Sequence, residues 1–130
     1  MRTELLTYLT ANLTGTIKAS QEQPWTEGGQ PLYTKNLRRV YLSEPYTEME
    51  ELVSVLNGAD INRKIIYVRG FLQVDAKNRN ADLDSALTTL AQAKDITTIT
   101  GAFRKAFDYT TRIDADKVLY ELEYRFYTIA

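Results

Sequence analysis

The chain has 130 residues and a mass of 14.9 kDa, which is room for one domain and little more. Hydrophobic residues make up 44% and charged residues 25%, an ordinary globular composition, and the formal charge of −1 gives no basic footprint for gripping nucleic acid. Neither cysteine nor histidine is present, which excludes disulfides, thiol nucleophiles and thiolate metal sites and removes the imidazole of most acid–base and zinc chemistry.

The first residues, Met-Arg-Thr-Glu-Leu-Leu-Thr-Tyr-Leu, are interrupted by polar groups where an export signal would be continuous. They read instead as a short helix with Thr3 as N-cap, and Leu5, Leu6, Leu9 and Leu13 fall on one side of it. Asn12 and Gly15, both tolerant of the left-handed conformation, mark its end. Residues 21–30 are polar and rich in breakers and read as a loop. Its tryptophan, Trp25, follows Pro24 and precedes Gly28-Gly29. Such a residue either plugs the edge of the core or anchors an interface.

Residues 31–42 are strand-like, with Leu32, Tyr33, Val40, Tyr41 and Leu42 around the basic pair Arg38-Arg39. Thr47-Glu48-Met49-Glu50 matches a capping box, and Met49, Leu52, Val53 and Leu56 keep helical spacing up to Asn57-Gly58. The spacing therefore predicts a helix over 47–58, its first turn crowded with carboxylates that suit the helix dipole. Residues 63–74 form the clearest strand, with Ile66, Val68, Leu72 and Val74 on one face and Ile65, Tyr67 and Phe71 on the other. Apolar groups on both faces predict a central strand. A polar turn over 75–80 leads to a second helix, capped by Asn80 or Asp82, whose buried stripe is Leu83, Ala86, Leu87, Leu90 and Ala91. The run 96–100 fits a loop or a short strand equally well.

The carboxy-terminal part is the most informative. Val118, Tyr120, Leu122, Tyr124 and Phe126 alternate with Glu121, Glu123 and Arg125, and Phe107, Tyr109 and Ile113 alternate upstream. With Asp114-Ala115-Asp116 in the turn, a two- or four-residue loop pairs Ile113 with Val118, Tyr109 with Leu122 and Phe107 with Tyr124, whereas a three-residue loop would exchange the faces. The same register sets Asp108 level with Glu123, a like-charge pair that Arg104 and Arg125 can relieve diagonally. The second strand, over 117–127, would run about 35 Å, comparable with the diameter of a compact domain of this length. Such a hairpin projects or lies along a neighbour.

Catalytic motifs are missing. There is no G-x-S-x-G elbow, Walker loop or dinucleotide fingerprint, and Gly28-Gly29 lacks the lysine and helix of a phosphate cradle. Asp114 and Asp116 suit a turn better than a metal, and residues 75–80 fail the calcium-loop pattern because Lys77 occupies a ligand position. We expect neither enzymatic activity nor a cofactor. The surplus is aromatic: nine tyrosines, mostly on strands, suit subunit interfaces that are half apolar and half wet.

The order of elements resembles the tail terminator proteins of long-tailed bacteriophages. The resemblance rests on Tyr67-Val-Arg-Gly-Phe-Leu-Gln-Val74 running into Ala81-Asp-Leu-Asp-Ser-Ala-Leu87. It rests also on Phe107-Asp-Tyr109, the acidic turn and Leu119-Tyr-Glu-Leu-Glu-Tyr-Arg-Phe126. It implies one α+β domain over 1–130, a mostly antiparallel sheet with two or three helices packed on it and a long C-terminal β-hairpin. It further implies a virion protein, assembled in the host cytoplasm, that forms a hexameric ring at the head-proximal end of the tail. Its partners would be itself, the tail tube protein and a head-closure or connector protein. DNA would pass through without specific binding, and no membrane is involved. Trp25, Tyr33, Arg38 and Arg39 are the candidate contacts with a neighbouring subunit or partner. Asp108, Glu121 and Glu123, on one hairpin face, are candidates for the channel wall. Another neck protein of similar size, or a small ligand-binding domain with an apolar pocket, are the alternatives.

Overall fold

A computed structural model describes residues 1–22, 38–53, 61–75, 82–96, 101–114 and 116–129. Helix α1 (Arg2–Asn12) is followed by strands β1 (Lys18–Ala19), β2 (Arg39–Leu42), β3 (Tyr46–Val53) and β4 (Ile61–Asp75). Helix α2 (Leu83–Gln92) and a 3-10 turn, Ala93–Asp95, lead into a closing hairpin of β5 (Arg104–Asp114) and β6 (Lys117–Ile129). The strands make one sheet in the order β1-β2-β4-β6-β5, and β3 also pairs with β4. Among the described residues, only the short β1–β2 pair is parallel. This is the α+β arrangement expected.

Strand β4 is the axis of the sheet because both of its faces are apolar. Val68, Leu72 and Val74 point into the main core, and Phe71 packs in a second cluster with Tyr41 and Leu119 on the opposite face. The main core is completed by Leu5, Leu6, Leu9 and Leu13 from α1 and its end, and by Leu83, Ala86 and Leu90 from α2. Both helices therefore cover one face of the sheet. On β6, Val118, Tyr120, Leu122, Tyr124 and Phe126 alternate into that core, while Leu119 is buried on the opposite face. The hairpin register is the expected one, with Ile113 opposite Val118, Tyr109 opposite Leu122 and Phe107 opposite Tyr124.

One expected helix is a strand. Residues 46–53 form β3, antiparallel to the first half of β4, so the Thr47–Glu50 capping box is not formed. Strand β6 occupies one side of β4 along Arg63–Asp75, whereas β2 meets the other side only at Gly70–Leu72. The remaining backbone donors and acceptors of β4 need partners, and β3 supplies them. Val53 and the stacked Tyr46–Tyr67 rings, 5.0 Å apart, fit an extended chain better than a helix. Residues 54–58, the rest of that expected helix, lie outside the described residues, as do 31–37, 76–80 and 97–100.

The caps also differ from expectation. The N-cap of α1 is Met1 rather than Thr3. Arg2 opens that helix with its guanidinium on three carbonyls, those of Leu42, Gln21 and Glu22, which fixes where the chain enters the fold. Asp82 is the N-cap of α2 in position, with a left-handed φ of 61°, but its carboxylate does not cap the helix. It accepts hydrogen bonds from the backbone N–H and hydroxyl of Thr16 at 2.8 and 3.0 Å.

Candidate functional site

The sheet face away from the helices, together with the sheet's two long edges, holds the chemistry left unused by the core. Residues of β6 at odd positions point there, beside the odd positions of β4 and the even positions of β5. Asp108 stands directly opposite Glu123, as the register requires. Arg125 resolves the repulsion: its Nη2 contacts the Asp108 carboxylate and its Nε lies 3.6 Å from Glu123. Arg69 reaches Glu123 from β4 at 2.7 Å, and Arg112 lies 3.6 Å from Glu121. Arg104 takes no part in this relief and instead lies over the Tyr127 ring, 5.2 Å from its centroid.

Asp108, Glu121 and Glu123 thus share one face, and each has an arginine partner. They border a concavity of about 460 Å³ together with Arg69, Phe71 and Thr110. Three carboxylates against three guanidiniums leave that patch close to neutral. Next to it Arg69 lies over the stacked rings of Tyr46 and Tyr67, at 5.1 and 5.6 Å. Burial pushes both tyrosine hydroxyls above their ordinary range, and the Glu48 charge adds to the effect at Tyr67. The hydrogen bond to Glu123 raises Arg69, which stays charged.

The edges are distinctive. Strand β5 pairs only with β6, and β3 only with β4, so among the described residues each leaves one side of its backbone without a strand partner. Tyr109 and Ile113 on β5 lie on the helix-bearing side of the sheet, yet they are 46% and 68% exposed. Met49 on β3, level with Lys64, is on the same side and 58% exposed. The helices do not reach these positions.

Trp25 and Tyr33 lie outside the described residues. Arg38 and Arg39 sit at the start of β2, away from the hairpin. Arg38 has a left-handed φ of 65° and donates to the Thr16 hydroxyl, joining the Asp82 network, while Arg39 is exposed. Arg38 therefore ties β2 to the entrance of α2. A groove of about 700 Å³ lies between α1 and the end of α2, lined by Thr7, Tyr8, Ala11 and Ile96 among others. It lies on the helical side and is open to solvent. Among the described residues no group of three or more acidic side chains is placed to hold a metal, and no helix is long and apolar enough to cross a membrane.

Sequence reasoning located the acidic residues but not Arg69 as a partner of Glu123, nor Met49 as an exposed edge residue. The first depends on the register of β4 against β6, which no local pattern sets. The second was hidden by the helical spacing around Met49. No protein-family model matches the chain, and no curated protein matches it as a relative.

Proposed function

We propose that this chain is a structural subunit that assembles with copies of itself into a ring, in the manner of a tail terminator. In that role it caps the tail tube of a long-tailed phage and joins it to the head. The observation that carries this reading is strand β5, eleven residues long, whose outer edge has no strand partner among the described residues and beside which Tyr109 and Ile113 are exposed. A long edge with apolar side chains is a template for pairing with another chain, and monomeric proteins blunt such edges with charge, proline or a covering loop. Strand β5 holds no proline, and its charges, two arginines and a lysine against two aspartates, nearly offset one another instead of presenting one repelling sign.

The paired charges of the open face support the same role. A channel that DNA traverses must not grip phosphate, because each uncompensated cation adds a salt-dependent attraction. Asp108, Glu121 and Glu123 with Arg69, Arg112 and Arg125 make a balanced lattice that offers little grip. If this face lines the channel, it does so as a neutral wall and not as a repulsive one. Negative-stain imaging of the purified protein tests the proposal. Rings of six-fold symmetry with a central hole are expected, and a field of particles of single-subunit size contradicts it.

A further inference from the structure

We infer that neighbouring copies join edge to edge, β5 of one copy antiparallel to β3 of the next, so that the sheets run on as one sheet around the ring. This deepens the reading proposed above and rests on it. The directions of the strands require the antiparallel sense. Strand β5 runs with β4, and β3 runs against it, because β6 is antiparallel to both β4 and β5. Rotating a second copy about an axis along the strands therefore sets its β3 antiparallel to the first copy's β5, with the helices on the same side in both. The contact is head-to-tail, and it exhausts its free edges only by closing.

Charge selects the same pairing. The β3 sequence holds three glutamates and no basic residue, whereas β5 holds two arginines and a lysine against two aspartates. Joining β3 to β3 would oppose glutamates, while β3 against β5 brings unlike edges together.

The register follows from the faces. Met49, Tyr109 and Ile113 all lie on the helix-bearing side, and a slip of one residue would separate them. Setting Thr111 opposite Met49 places Tyr109 and Ile113 on its two diagonals, covering all three apolar side chains. The same register brings Arg112, now 3.6 Å from Glu121, level with Glu48 on the open face. A shift of two residues one way puts Asp108 level with Glu50, a like-charge pair; the other way sets Arg112 against Glu50 but Asp114 against Glu48, so its gain is cancelled.

The chain has no cysteine, so a thiol pair can be introduced without background. Opposed residues of adjacent strands lie within disulfide reach. Oxidation of the full chain carrying both Met49→Cys and Thr111→Cys should give a reducible ladder of covalent oligomers that ends at the ring size. Each single variant should run as one subunit. A folded double variant with no ladder overturns the contact, and so does dimer formation by either single variant, which would mean like edges meet. Cross-linking of Met49→Cys with Phe107→Cys as efficiently as with Thr111→Cys overturns the register. Imaged rings without a ladder reject this contact alone, and a ladder without an end supports the contact while contradicting ring closure. As a second measurement, Arg112→Glu should weaken association at low salt about tenfold, and adding Glu48→Arg should restore it. Failure of that rescue also counts against the register.

Discussion

The Tyr124 hydroxyl donates to the Leu90 carbonyl at 2.5 Å, a hydrogen bond that ties the middle of β6 to the last turn of α2. Tyr124 is fully buried, and burial pushes its hydroxyl far above the ordinary tyrosine range, so near neutrality it is protonated and can donate. Carbonyls in the last turn of a helix lack onward partners, and this one is satisfied by the sheet. Tyr124→Phe keeps the ring and strands the carbonyl, so it should cost about 1–3 kcal/mol by denaturant unfolding. Phe126→Ala empties a fully buried site in the same core and should cost about 3–5 kcal/mol. Unchanged midpoints for both would mean that the hairpin does not pack on the helices.

The face opposite the helices gives a second expectation. Arg125→Gln leaves Asp108 and Glu123 opposed with only Arg69 to compensate. These groups are partly exposed, so the loss should be modest, about 1 kcal/mol. Asp108→Asn in the same chain should recover most of it, and added salt should stabilise Arg125→Gln more than the parent. Melting curves at two ionic strengths check both statements.

Acid sensitivity follows from the Asp82 network. The backbone and hydroxyl hydrogen bonds from Thr16 hold the Asp82 carboxyl below the usual carboxylate range. A group lowered in the folded state stabilises fully above its ordinary value, and that contribution disappears as pH falls through the folded value. Stability should therefore decline from mildly acidic conditions downward, and Asp82→Asn should be less stable near neutrality with a shallower acid decline. Melting temperature against pH for the two proteins measures the difference.

Gly70 lies where β2 crosses the middle of β4. A Cβ there would run into the Tyr41 carbonyl oxygen and the Leu42 side chain. Gly70→Ala must push β2 away from β4, at a cost of about 1–3 kcal/mol, the usual range for overpacking. Thermal melting of the variant, expected several degrees below the parent, tests this close approach.

The hairpin was legible in the sequence down to its register because one face of β6 is buried along its whole length. A one-residue slip would have exposed Tyr124 and Phe126, so the pattern allowed a single pairing. Strand β4 was legible for a related reason, its apolar residues on both faces. Strand β3 was not. Its Thr47, Met49 and Glu50 satisfy helical and extended patterns alike, and the decision lay with the unpaired half of β4, which is distant in sequence. The charge lattice was half legible. Asp108 and Glu123 followed from the hairpin register, whereas Arg69 enters from β4, whose register against β6 no local pattern announces. The exposure of Met49, Tyr109 and Ile113 on the two edge strands followed only from the whole sheet order.

Sedimentation velocity over a range of protein concentrations tests the central claim most directly, because a closed ring has a definite mass. One principal species at six times the 14.9 kDa subunit mass, persisting on dilution, is expected. A species that remains at 14.9 kDa at every concentration would contradict it.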